Sequence, residues 1–174
     1  MRMLTLAALG AALLATGARA EVTDKSAAGF EVVEKATIAA APDKVWAALM
    51  HPDTWWSSKH SWSGDAKNLY FDPSGCFCER LKRGAVRHMT IVYNDGGTTL
   101  RLNGGLGPMQ LTGASGNLGI TLKPAGPSTD LTMTYDVGGY AKGGLADTLA
   151  APVDGVLGEQ VSRLKKYVET GKPD

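Results

Sequence analysis

The feature that most constrains this chain is a single long amphipathic stripe at its C-terminal end, preceded mainly by segments with strand character. Val153, Val156, Leu157, Gln160, Val161, Leu164, Tyr167 and Val168 recur at i, i+3, i+4 spacing, while Asp154, Glu159, Arg163, Lys165, Lys166 and Glu169 fall elsewhere on the wheel. This predicts a helix of about four to five turns with one apolar face to bury. Pro152 is acceptable near its start, so residues 145–151 are expected to form a separate or kinked turn. Gly155 and Gly158 each cost about 1 kcal/mol relative to alanine in a helix interior, and both project away from the stripe.

The segments ahead of that helix supply what could cover it. Residues 30–40 mix β-branched and charged residues with near period-2 alternation, which predicts a first strand. Pro42 suits the first position of a helix carrying Val45, Trp46, Leu49 and Met50, and Pro52 stops it; a second short helix is expected over 53–58. Residues 61–74 are irregular, with short strands expected near Trp62 and over 68–71. Strand patterns then repeat over 76–82, 86–93, 98–103, 109–112, 117–123 and 130–138, separated by turn sequences such as Asn94-Asp95-Gly96-Gly97. The expectation is an α+β chain: an antiparallel meander packed on one long helix.

The first twenty residues belong to a different category. Met1-Arg2 is a short basic start, residues 4–14 form an almost unbroken apolar run, and Ala18-Arg19-Ala20 has the small-x-small pattern of a signal peptidase site. A membrane span needs about 20 apolar residues, and no stop-transfer flank follows. The organisation expected is therefore a secretory signal peptide over 1–20, a flexible mature N-terminus over 21–29 and a single domain over 30–170. Export implies a periplasmic or secreted location, without stable membrane insertion after cleavage. The chain carries 18 basic and 17 acidic residues; losing Arg2 and Arg19 leaves 16 against 17. Such a balance gives no electrostatic footprint for nucleic acid.

The order of elements and several short motifs resemble one known group. Strand, two short helices, antiparallel strands and one long C-terminal helix is the order of the START-like (SRPBCC) superfamily, which includes birch-pollen-allergen-like proteins and polyketide cyclases. Pro42-x-x-Val45-Trp46-x-x-Leu49 followed by Pro52-x-x-Trp55-Trp56 is similar to the opening of its bacterial members related to activators of the heat-shock ATPase. Gly75-x-Phe77-x-Glu79 with Gly84-x-Val86-x-x-Met89 resembles their third- and fourth-strand hairpin, and Thr129-x-Leu131-x-x-x-Tyr135-x-Val137 their penultimate strand. The resemblance implies a helix-grip fold, a curved antiparallel sheet wrapped around the C-terminal helix. Between the two lies a cavity that in this superfamily holds lipids, sterols, polyketides or other largely apolar molecules. A secretory signal is unusual for the cytosolic ATPase activators, and no motif carries catalytic residues over from the cyclases.

All four tryptophans, Trp46, Trp55, Trp56 and Trp62, lie within seventeen positions. They form either an aromatic wall of an apolar pocket or simply the bulk that short helices need against a sheet, with Trp46 reading as core and Trp56 or Trp62 as the mouth. The ligand-binding candidates are Trp55, Trp56, Trp62 and Phe71 on the early half, Met89, Arg101 and Met109 on the middle strands, and Tyr135, Tyr140 and Leu149 toward the helix. Tyr140, with Leu145, is read as a lid flanked by Gly138-Gly139 and Gly143-Gly144.

His88 is the candidate general base. By alternation it shares a face with Val86 and Thr90, and a lone strand histidine is commonly structural. Glu79 and Arg101 are read as pairing with each other or orienting a ligand's polar end. Cys76 and Cys78 fall on one strand face; free buried thiols are expected, a strained or intermolecular disulfide being the alternative. Neither these cysteines nor the three histidines have zinc spacing, so no metal and no cofactor is expected. Asn103-Gly104-Gly105-Leu106-Gly107-Pro108 links strands and lacks the lysine of a phosphate loop. Thirteen glycines between Gly96 and Gly144 are read as bends that let the sheet curl. The expected function is binding of a small apolar ligand; the alternatives are a cyclase, hydrolase or isomerase in the same cavity, and a protein-interaction module docking a partner on exposed tryptophans.

Overall fold

The computed structural model describes residues 19–72 and 74–174. The signal-peptide reading of residues 1–18 therefore lies outside the described residues. Eight strands form one antiparallel sheet: β1 (Arg19–Lys25), β2 (Gly29–Ile38), β3 (Leu69–Asp72), β4 (Cys76–Arg80), β5 (Ala85–Asp95), β6 (Thr99–Gly104), β7 (Gly113–Ala125) and β8 (Ser128–Tyr140). Their spatial order is β1-β2-β8-β7-β6-β5-β4-β3. The short helices α1 (Pro42–Leu49) and α2 (Pro52–Trp55) follow β2, and α3 (Leu145–Thr170) closes the chain. This is the α+β helix-grip arrangement expected from the sequence.

Period-2 alternation assigns the inner face. Phe30, Val32, Ala36 and Ile38 of β2, and Leu131, Met133, Tyr135 and Val137 of β8, are buried, as are Leu157, Val161, Leu164 and Val168 of α3. Burying a side chain of this size contributes about 1.5–3 kcal/mol, so the seam between α3 and the sheet contributes substantially to stability. α3 stops at Gly171, whose φ of +79° is left-handed and whose N–H donates to the Tyr167 carbonyl at 2.8 Å.

Several local expectations are corrected. Residues 21–29 are not a loose lead: Glu21 to Lys25 belong to the edge strand β1, paired with β2, and Val22 packs against the core. α3 is continuous through Pro152 rather than broken there; Leu145, Ala146 and Ala150, ahead of the proline, are buried and hold those turns in helical register. The second short helix ends at Trp55 and is followed by a 3₁₀ turn over Ser58–His60. Residues 107–111 form a 3₁₀ turn where a strand over 109–112 is expected, because the Met109 and Thr112 N–H groups donate back to the Leu106 and Met109 carbonyls rather than to a ladder. No strand forms at Trp62, whose N–H is taken by the Glu79 carboxylate instead.

Cys76 and Cys78 are joined as a disulfide rather than left as free thiols. Their Cα atoms are 5.5 Å apart, closer than a fully extended strand would hold them and inside the usual range for a bridge. Both are buried on the sheet face opposite Phe77 and Glu79.

Candidate functional site

A cavity of about 370 Å³ lies between α3 and the far half of the sheet. α3 contributes Leu149, Val153, Val156 and Leu157, the sheet Leu69, Phe77 and His88, and the 107–111 turn Pro108 and Met109; Trp56 and Trp62 form the remaining wall with His60. A second, enclosed apolar void of about 20 Å³ lies deeper, bordered by Trp55, Phe71 and Leu118, and Trp56, Phe77 and Leu157 stand between the two spaces. The walls of the main cavity are mostly apolar, with Lys59, His60, Ser61 and His88 as polar members, and a pocket of this size and character suits a small, largely hydrophobic molecule.

The aromatic wall is a connected cluster. Trp56 stands 5.5 Å from both Trp55 and Phe77 by ring centroids, and Phe77 lies 5.1 Å from Phe71 and from the His88 ring. Each indole is anchored by its N–H: Trp55 Nε1 donates to the Ala48 carbonyl at 2.8 Å and Trp56 Nε1 to the His60 carbonyl at 2.9 Å. The segment from Trp55 to Ser63 is then fastened to its surroundings. The Ser57 N–H donates to Gln160 Oε1 at 2.8 Å, Arg163 Nε donates to the Trp55 carbonyl at 2.9 Å, and His60 Nε2 is 2.9 Å from Glu159 Oε2. The cavity mouth is thus held by α3 on one side and by Glu79 on the other.

His88 is the polar residue of the floor, and Glu79 stands behind it as its partner. His88 Nε2 lies 2.9 Å from Glu79 Oε2, both side chains are buried, and Glu79 also accepts from the Trp62 N–H at 3.0 Å and the Ser63 N–H at 2.5 Å. Burial pushes the Glu79 carboxyl up, but the hydrogen bonds from Ser63, Trp62 and His88 outweigh it and hold it below its ordinary value. Burial holds the His88 imidazole below its ordinary value against the opposing pull of Glu79. An ionised Glu79 accepting from a neutral His88 places the ring proton on Nε2 and leaves Nδ1 as the basic atom.

A β-bulge explains how His88 reaches the cavity. Phe77 pairs with Met89 and Cys78 with Arg87, so His88 is the extra residue on β5. Strict alternation put His88 on the face opposite Met89; the bulge buries both. Gly104 on the neighbouring strand permits this, since a Cβ there would sit 2.8 Å from the His88 carbonyl oxygen, and its φ of +151° disfavours a side chain.

The predicted site residues separate into three groups. His88, Trp56, Trp62, Met109 and Leu149 line the main cavity, and Trp55 and Phe71 the inner void. Met89 and Tyr135 are core: the Tyr135 hydroxyl donates to the Gly104 carbonyl at 2.8 Å and accepts from the Leu106 N–H at 3.3 Å, and burial pushes it up to about 12. Arg101 and Tyr140 are exposed and line neither space. Arg101 stacks over Tyr93 at 4.8 Å and does not pair with Glu79, because alternation turns it outward between buried Leu100 and Leu102. Tyr140 is 73% exposed at the end of β8 and does not form a lid. Sequence reasoning missed the Glu79–His88 pair and the α3 wall at Val153 and Val156. The apolar stripe already contained both valines, but not which part of it would be left uncovered. Among the described residues no cluster of His, Cys, Asp or Glu is arranged to hold a metal ion.

An open antiparallel sheet gripping a C-terminal helix over an apolar cavity defines a START-like protein. Residues 29–169 match the family described as polyketide cyclase / dehydrase and lipid transport, and the chain belongs to it. No curated protein is significantly similar in sequence. Solved structures with the same fold include a conserved protein of unknown function from Enterococcus faecalis, at 15% identity and TM-score 0.60 over 88% of this chain and 78% of that one. The solution structure of the Aha1 dimer from Colwellia psychrerythraea is similar at 16% identity and TM-score 0.55, covering 82% and 98%. CalU16 from Micromonospora echinospora is similar at 13% identity and TM-score 0.54, covering 91% and 83%. At these identities the likeness is one of fold.

Proposed function

We propose that this chain is an exported START-like protein that binds a small, largely apolar molecule, of lipid, polyketide or aromatic type, between α3 and the sheet. The observation that carries the reading is the apolar cavity walled by Trp56, Phe77, Met109 and Val153. Covering about 200–300 Å² of apolar ligand surface at about 25 cal/mol per Å² gives roughly 5–8 kcal/mol before the entropic costs of association. The buried Glu79–His88 pair offers a single polar anchor for one end of the ligand. Native mass spectrometry of the protein purified from the periplasm, followed by solvent extraction, tests the reading. A stoichiometric co-purifying apolar mass supports it; an empty extract, with tryptophan fluorescence indifferent to fatty acids, sterols and aromatics, overturns it.

A second reading, catalysis in the same cavity, is favoured by one specific observation. A neutral imidazole held by a buried carboxylate and facing an apolar space is the arrangement of a general base with an orienting partner. A cyclase, hydrolase or isomerase would use His88 Nδ1 to take a proton from the bound substrate. His88→Gln should then abolish turnover and leave ligand affinity nearly intact; unchanged turnover removes His88 from the chemistry. The protein-docking alternative has less behind it, because Trp55 is buried and Trp56 faces inward.

A further inference from the structure

Glu34 is the one inner-face residue of β2 that is not apolar. It is completely buried, and neither of its carboxyl oxygens has a hydrogen-bond partner among the described residues. Asp154 of α3 faces it and also has a buried oxygen, Oδ1, without a partner. Glu21 of β1 adds a third acidic side chain, close enough to Asp154 to disfavour its ionised form. Across the sheet Glu34 is paired with Met133 of β8, which brings no charge. A fully buried carboxyl facing a half-buried one, with a third acidic group beside them and no cationic side chain among the described residues to pair them, is an arrangement a folded chain rarely keeps.

The sequence supplies a cation at this point in space. The signal peptidase pattern Ala18-Arg19-Ala20 places the scissile bond between Ala20 and Glu21, and the strand ladder pairs Ala20 with Glu34 and Glu21 with Val33. That bond therefore lies directly beside Glu34. We infer that removal of residues 1–20 creates an α-ammonium group on Glu21 which occupies the Glu34–Asp154 site as its missing cation, so that processing completes the fold. Hydrolysis adds one water across the Ala20–Glu21 bond; the carboxylate departs on the released peptide, and the amine remains on Glu21 and takes up a proton at neutral pH. Cleavage occurs on the translocating chain, before β1 joins β2, and β1 then begins at the charged terminus.

The chemistry suits an ammonium better than a free metal ion. An α-ammonium donates three hydrogen bonds from one point, whereas no group among the described residues has the geometry of a metal site. Lacking a cation, Glu34 is pushed up to about 8, first by burial and then by Asp154. Asp154 is raised by its own burial and by Glu21. The site lies between β1, β2 and α3, apart from the ligand cavity, so this inference stands whether or not the binding reading does.

The test compares the exported protein with two chains altered only at the terminus, one Nα-acetylated at Glu21 and one Nα-acetylated on a retained Ala20. Mass spectrometry of the periplasmic protein should give Glu21 as the first residue. Its melting temperature should lie about 5–10 °C above both altered chains, the shift expected for a lost buried ion pair in a domain of this size. Its α-amino pKa, read by NMR of the reductively methylated terminus, should lie above the ordinary value of about 8. Glu34→Gln should remove both differences. A different first residue, equal melting of the free and acetylated chains, or an amine that titrates at its ordinary value overturns the inference.

Discussion

Glu79 and Glu34 are both fully buried carboxylates on the inner face of one sheet, on β4 and β2 respectively. Glu79 is surrounded by donors: two backbone N–H groups of the 61–63 loop and the imidazole of His88. Among the described residues, the charged groups near Glu34 are acidic: Asp154 and, behind it, Glu21. The first is held ionised below its ordinary value and the second is pushed far above it. Burial acts in the same upward direction on both, so the contrast comes from the partners each neighbourhood supplies. At β4 the partners are built by a loop and a bulge. At β2 no described side chain supplies a cation, and the one proposed here would exist only once a peptide bond is cut.

The widest separation between the two sites should appear on removing the carboxyls. Glu79→Leu leaves the buried His88 imidazole and two part-buried backbone N–H groups without their acceptor, and urea denaturation should show a loss of about 3–5 kcal/mol. Glu34→Leu in the Nα-acetylated chain should be neutral or stabilising by up to about 4 kcal/mol. A Glu34→Leu loss as large as that of Glu79→Leu would break the comparison.

Ligand binding should depend on the β4 region alone. Val156→Trp fills the cavity between α3 and Trp62, and fluorescence titration should show at least a tenfold weaker affinity, about 1.4 kcal/mol. Glu34→Gln, remote from that cavity, should leave affinity unchanged.

The two regions should also respond to pH in opposite directions. His88 has a lowered folded pKa, so its contribution is present above about 6.5 and is lost as pH falls through the lower folded value. Glu79 behaves likewise, its contribution being lost as pH falls below the ordinary carboxylate range. Glu34 has a raised folded pKa in the chain without a free Glu21 amine, from burial and from Asp154 of α3, which itself has Glu21 of β1 beside it. Its contribution is complete below about 4.5 and is lost as pH rises through about 8. Chemical denaturation of the acetylated chain across this range should show His88→Gln flattening the acid limb and Glu34→Gln the alkaline limb. The smallest effect is expected at residues the structure moved out of the site: Arg101→Ala and Tyr140→Ser should change stability by no more than about 0.5 kcal/mol and leave binding unaltered.

Much of the fold was legible because its periods are simple. The helical stripe through Val161 and Leu164 and the alternation in β2 and β8 identified the seam between α3 and the sheet, since burial follows directly from spacing. Trp56 and Trp62 were legible as cavity residues through their clustering. His88 was legible as a candidate only by residue type; its inward orientation comes from a bulge that breaks alternation, and a bulge leaves no period to read. Arg101 was misplaced because chemistry suggested a ligand contact where strand geometry turned the side chain outward. Cys76 and Cys78 read as free thiols because a fully extended strand holds such residues near the limit for a bridge, whereas the folded strand brings their Cα atoms to 5.5 Å.

By itself, the sequence determined the architecture, the order of elements and the position of the expected cleavage point, because these depend on local spacing and residue type. Only the tertiary structure decided which polar groups meet. Glu79 and His88 are nine residues apart on neighbouring strands, and Glu34 meets Asp154 and the Ala20–Glu21 bond through three separate elements. The energy of a buried charge depends on what lies within a few ångströms of it, and in this chain those neighbours are brought together by sheet register and helix docking.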